Sequence, residues 1–327
     1  MDILYIIIDT LKFGLPYAML ALGVFITYRQ LDIADLGCEG TFTLGGAVSA
    51  VLIFQGLNPF LATFIAVICG FIAGLFTGIL HTQLKIPALL SGIITLTALF
   101  SVNMVIMGFG TANNTSGYSS MVVINKNIDN LRAQTMYDSF SSLIGLKDAS
   151  IVIGGINFAN NFAIIILSII LILVVLVLMY LFFGTEVGMS VRATGMNIKM
   201  ARAQGINTSL MIILGLGISN ALIAFGGSMY TQINRSASNT MGVGVIVIAL
   251  SSVIIGESIF GKKTFKNWII SVSLGAIIYY LIITIALALK MPNHFLKLLY
   301  ASLIIIVLSI PLIKEQVMKL HKKKEVA

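Results

Sequence analysis

The chain has 327 residues, of which 58% are Ala, Val, Ile, Leu, Met, Phe, Trp, Tyr or Cys and only 10% are charged, with a formal net charge of +8. Soluble domains run nearer half apolar and a quarter charged. A soluble fold of this size cannot hide so much apolar surface, which excludes a cytosolic enzyme and, despite the basic balance, a nucleic-acid-binding protein. The composition indicates an all-α polytopic membrane protein, one domain over 1–327.

The opening Met1-Asp2-Ile3 lacks the basic start of a cleaved signal, so the first apolar stretch reads as a permanent helix. It is the first of nine apolar segments, at about 11–28, 36–55, 59–80, 88–108, 162–183, 208–231, 241–258, 267–289 and 297–313. Each is near the roughly 20 residues that cross a bilayer as a helix. Helices satisfy their own backbone in lipid, and the uncharged run Ile164–Phe183 is not the alternating pattern of a membrane barrel strand. Segment 241–258 is the weakest span, because Gly242 and Gly244 can break it. Basic residues concentrate on the cytoplasmic side of such proteins. Placing the tail lysines Lys314, Lys319, Lys322, Lys323 and Lys324 there leaves thirteen basic residues inside and six outside. This predicts nine helices, the N-terminus outside and the C-terminus in the cytoplasm. Topology and anionic lipid at the inner face account for the positive charge.

Several positions carry candidate chemistry. Asp32, Asp35 and Glu39 cluster where the second span begins. Asp35 and Glu39, four apart, are expected to share a helical face. Two readings stay open, helix-start carboxylates at the cytoplasmic rim or the inner gate of a pathway, since charge within lipid is costly enough to mark function. Gly70, Gly74 and Gly78 form a ladder at i, i+4 and i+8 that lets helices approach closely. The polar stretch 109–161 is long for a connector and reads as an extracytoplasmic loop, either a passive cap or a docking surface, with a short amphipathic helix within Ile128–Leu143. Gly256–Thr264 nearly spells a phosphate loop, but Lys263 stands where that motif needs a hydroxyl. Cys38 and Cys69 lie in apolar stretches, and His81, His294 and His321 have no partner at ligand spacing, so no metal site is expected.

The segment 184–207 has an internal design. Asn197 is a good helix N-cap, Ile198–Gln204 holds helix formers, Arg202 suits the C-terminal dipole, and Gly205 supplies a stop. This predicts a two-turn helix, pinned at both ends, in a cytoplasmic loop.

That loop resembles the coupling loop of permease subunits of ATP-binding-cassette importers, in the branched-chain amino acid and ribose permease group. Gly188, Arg192, Ala193, Gly195, Asn197, Ala201, Ala203, Gly205 and Ile206 follow the group's order. Residues 31–46 and Ile246–Gly261 resemble two further segments of the group, although Cys38-Glu39 stands where a small residue and Asp are expected. Leu31–Leu36 and His81–Pro87 are similar to a branch associated with aromatic or other amino-acid uptake. The resemblance implies a non-catalytic subunit without a cofactor of its own. ATP would be bound by a cytoplasmic ATPase subunit that grips Gly188, Arg192, Ala193, Gly195, Asn197, Ala201, Arg202 and Gly205. It also implies a second permease subunit, expected as a homodimer, and an extracellular substrate-binding lipoprotein, in a multi-pass protein of the cell membrane. The rival from another class is a stand-alone secondary transporter or channel. It would need an intramembrane ion site and internal repeats; neighbouring genes for an ATPase and a lipoprotein would decide between the two.

Overall fold

The computed structural model describes residues 3–110, 117–124, 134–145, 152–153 and 156–289, with isolated positions 298, 302, 305 and 309. Helix α1 (Ile3–Phe25) runs on through one π-helical turn, Ile26–Gln30. After a short loop come α2 (Cys38–Phe54), α3 (Pro59–Thr82) and α4 (Ala88–Gly108). Strand β1 (Met121–Val123), α5 (Met136–Leu143), β2 (Val152–Ile153) and β3 (Ile156–Asn157) occupy the long polar stretch. Helix α6 (Phe158–Gly184) leads into two short helices, α7 (Glu186–Met196) and α8 (Ile198–Ala203). The order closes with α9 (Thr208–Asn234), β4 (Ser236–Ser238), α10 (Val245–Phe260) and α11 (Phe265–Ala288).

The chain is therefore mostly helical, with six segments among the described residues long and apolar enough to cross a membrane: Ile6–Gln30, Pro59–Thr82, Ala88–Gly108, Asn161–Gly184, Thr208–Asn234 and Phe265–Ala288. The expected spans at 36–55 and 241–258 are present as apolar helices of only 17 and 16 residues. The reason in the second is local. Gly244 takes a left-handed φ of +85°, so 241–244 forms turns and the helix starts at Val245. The ninth expected segment, 297–313, falls outside the described residues except at 298, 305, 302 and 309. Not everything is α: β1 pairs antiparallel with β4, and β2 with β3, as two short ribbons.

Helix ends follow ordinary capping chemistry. Asn58 caps α3 ahead of Pro59, its side chain accepting from the Phe60 N–H at 3.0 Å. Thr264 does the same for α11 through the Asn267 N–H. Small residues then set the packing around α9. Gly70, Gly74 and Gly78 all lie against α9: a Cβ on each would meet Asn220 and Ala224, Leu216 and Gly217, or Ile213. From α2, a Cβ on Gly45 would run into the Ala224 carbonyl, and one on Gly227 of α9 into the Phe42 carbonyl. Lipid supplies no hydrophobic drive for helix association, so close backbone approach of this kind is a main source of cohesion.

Candidate functional site

Residues 184–207 fold into two helices rather than one. Thr185 caps α7, its hydroxyl oxygen accepting from the Gly188 N–H at 3.2 Å. Asn197 ends α7 and starts α8. Its extended backbone (φ −158°, ψ 101°) makes a one-residue joint, and its side chain accepts from the Met200 N–H at 3.1 Å. Gly205 has φ +84°, which lets the Ile206 N–H reach back to the Ala201 carbonyl at 3.1 Å and close the C-terminus. The sequence points to α8 but not to α7, because glycines such as Gly188 and Gly195 permit sharp turns as well as close approach. Thr185 followed by Glu186 is the N-terminal signal that marks it.

Both glycines serve close approach. A Cβ on Gly195 would strike the Gln30 carbonyl oxygen and the Leu31 Cα, and one on Gly188 the Phe182 carbonyl. Val191, Thr194 and Ala201 are buried beside them and Ala193 half-buried. The Arg192 guanidinium stacks 4.8 Å from the Phe265 ring centre, and Arg202 Nε donates to Thr208 Oγ1 at 2.9 Å. The elbow is thus seated on the π-helical turn, on the start of α11 and on the start of α9. Its outer side presents Val187, Met189, Met196, Ile198 and Met200, all exposed; Met196 is 87% so. Unbranched Met side chains suit an adaptable apolar contact.

Beside this seat lies a three-way tie that no local sequence signal marks. Arg29 donates from Nε and Nη2 to the two Glu257 carboxylate oxygens at 2.8 and 2.6 Å, and Trp268 Nε1 donates to the same carboxylate at 2.8 Å. It locks the ends of α1 and α10 to the start of α11. The near phosphate loop falls here too. It is a helix–turn–helix junction, with Lys262 and Lys263 in the turn and the Thr264 hydroxyl committed to capping α11.

The acidic residues separate. Asp32 is exposed at a left-handed φ of +55°. Asp35 is buried ahead of the helix, accepting from the Gly37 N–H at 2.8 Å and from Asn220 Nδ2 at 2.9 Å. Glu39 lies in the first turn of α2, half-buried, and accepts from the Gly244 N–H at 2.9 Å, where α10 begins. The expected shared face of Asp35 and Glu39 is corrected, because α2 starts at Cys38 and only Glu39 lies on it. Each carboxylate instead ties α2's start to a different helix.

At the other end of α9, part of the 109–161 stretch is fastened down. Thr135 and Asp138 form a reciprocal capping box on α5. Arg235 Nη2 donates to both Asp138 oxygens at 2.6 and 2.8 Å. Gln232 Oε1 accepts from the Met136 N–H at 2.9 Å. Burial beneath α5 raises the Tyr137 hydroxyl above the usual phenol range; it accepts from Ser168 Oγ of α6 at 3.2 Å. The expected helix within 128–143 is present over its last eight residues, 125–133 lying outside the described residues.

Residues 6–308 match the family described as the permease component of branched-chain amino acid transport systems. A tyrosine transport system permease protein of Clostridioides difficile is 34% identical over 98% of this chain and 99% of its own. A probable branched-chain amino acid transport permease of Methanocaldococcus jannaschii is 24% identical over 80% of this chain and 77% of its own. The galactofuranose transporter permease of Escherichia coli is 26% identical over 83% and 69%. No solved structure matches. The family match covers nearly the whole chain. The chain is a multi-pass membrane permease and belongs to the branched-chain amino acid permease family of ATP-binding-cassette importers.

Proposed function

We propose that this chain is the membrane subunit of an ATP-driven importer of amino acids, and that the α7–α8 elbow is where a separate ATPase subunit grips it. The observation that carries this reading is the elbow's double character. It is clamped to the bundle through Gly195, Arg192 and Arg202, yet turns a Met-rich face away from the protein. A rigidly seated projection transmits a push that a loose loop would dissipate. Two such subunits, as a homodimer, would flank one path, with an extracellular lipoprotein delivering solute at the α5 end. The tyrosine permease among the relatives supports an aromatic amino acid as solute.

Removing apolar contact from this face tests the seat. Each Met withdrawn from an interface costs about 1–3 kcal/mol, and 1.4 kcal/mol is tenfold in affinity. The double variant Met196→Asp, Met200→Asp is therefore expected to insert normally and to weaken ATPase association by at least tenfold in co-purification. Undiminished association would place the ATPase contact elsewhere.

The same reading fixes orientation, with nine spans, the N-terminus outside and the elbow in the cytoplasm. Arg29, Arg192, Lys262 and Lys266 gathering near one end of the bundle supports it. A cysteine at Leu143, which is 81% exposed, is expected to react with an impermeant thiol reagent on intact cells. One at the exposed Lys199 should react only after lysis. The reverse pattern would invert the topology.

A further inference from the structure

Where α2 and α10 both begin, the bundle holds a small chamber of about 30 Å³, lined by Glu39, Thr43, Phe100, Asn103, Asn239 and Gly242 among others. That is room for one water-sized group. By α-helical rise it lies roughly 24 Å from the far end of the 16-residue α10, deep within the bundle.

Its polar lining residues have acceptors to spare. Asn103 and Asn239 are 1% and 5% exposed. Their amide nitrogens are committed, Asn103 Nδ2 to the Gly40 carbonyl at 3.1 Å and Asn239 Nδ2 to the Phe100 carbonyl at 3.4 Å. Both carbonyl oxygens, Asn103 Oδ1 and Asn239 Oδ1, have no hydrogen-bond partner among the described residues. The Thr43 hydroxyl gives its proton to the Glu39 carbonyl at 3.1 Å and keeps only lone pairs to offer. Glu39 spends one oxygen on the Gly244 N–H, and an ionised carboxylate has about four acceptor positions. A buried acceptor left unmade costs about 1–3 kcal/mol, so two in residues that line one chamber favour a group rich in donors. Water brings two donors with lone pairs of its own. Hard metal ions want about six oxygens or more, beyond what these side chains supply. A protonated primary amine brings three N–H donors, no acceptor, and a charge opposite to that of Glu39.

We propose that this chamber receives the protonated primary amine of the solute as it crosses the membrane, so that Glu39, Asn103 and Asn239 select amines within the permease itself. Phe100 and Val243 at its rim are exposed, giving the rest of the solute a way out of the chamber. The assignment rests on the amino-acid reading above and deepens it.

The direct probe is methylammonium, tested against the purified full-length chain in lipid nanodiscs by thermal unfolding. Methylammonium chloride is expected to raise the midpoint saturably, whereas sodium chloride and tetramethylammonium chloride, which lacks N–H donors, should not. Glu39→Gln keeps an acceptor for Gly244 and should abolish the shift. Asn239→Ala removes one acceptor without touching Glu39 and should weaken it at least tenfold in apparent affinity. No wild-type shift, or an equal shift with sodium, would overturn the proposal; a water held there with no response to the amine counts as the former. In the assembled transporter, Glu39→Gln should raise KM for amino-acid uptake at least tenfold. If amino acids are imported and that KM is unchanged, the chamber proposal fails while the importer reading stands. If only amine-free solutes are imported, the amino-acid reading fails and the chamber loses its solute, even where methylammonium still binds.

Discussion

Gly195→Ala is expected to leave the protein inserted at normal abundance and to cut ATP-driven uptake by tenfold or more. Intrinsic propensity argues the other way, since Ala in a helix is worth about 0.8–1.0 kcal/mol over Gly. The contact decides. The added Cβ would run into the Gln30 carbonyl oxygen and press on the Leu31 Cα, which are backbone atoms and cannot swing aside as a side chain would. The elbow must lift off the π-helical turn, carrying Arg192 away from Phe265. A transporter with intact ATPase binding and lost uptake would show the seat, rather than the grip, to be damaged. Unchanged uptake would mean the elbow tolerates displacement and is no lever.

Gly74→Val should be more damaging to the fold itself. Here a Cβ would meet the Leu216 carbonyl, with Asn220 Cβ and Gly217 Cα each at 2.8 Å. Overpacking of this kind costs typically 1–3 kcal/mol, and the branched side chain adds more atoms to the clash. The expected result is a clear fall in folded yield from the membrane and a lower unfolding midpoint. Gly184→Ala controls for loss of glycine, because nothing lies within 4 Å of its Cβ position and its φ is not left-handed. Equal behaviour of the two variants would remove the α3–α9 seam from the account.

Much of this architecture was legible from the chain because its causes are local. Bilayer thickness sets span length, so α3, α4 and α11 sit within two residues of their apolar segments. Asn197 and Gly205 flank α8 because capping acts over three or four residues. What stayed hidden depends on partners far along the chain. Arg29 and Glu257 are 228 positions apart, Asp35 and Asn220 are 185 apart, and Glu39 and Gly244 are 205 apart. No pattern within a window of twenty residues discloses such pairs. The start of α2 is a case in point. A helix beginning at Asp35 is reasonable locally, but the Asn220 amide and the Gly37 N–H hold that carboxylate in a turn. Likewise α7 contains two glycines that local reasoning counts against a helix, and only the backbone pressed against them explains why they are there.

Helix α9 is 27 residues long, about 40 Å by its rise. Its first turn is stitched to α8 by Arg202 and Thr208, and its far end to α5 by Gln232 and, just beyond, Arg235. One stiff rod therefore joins the α8 end of the bundle to the α5 end. A displacement imposed by a partner on either side is delivered to the other without waiting for the intervening helices to rearrange. Under the orientation proposed above, occupancy outside and nucleotide state inside would be sensed through a single mechanical element, in both directions.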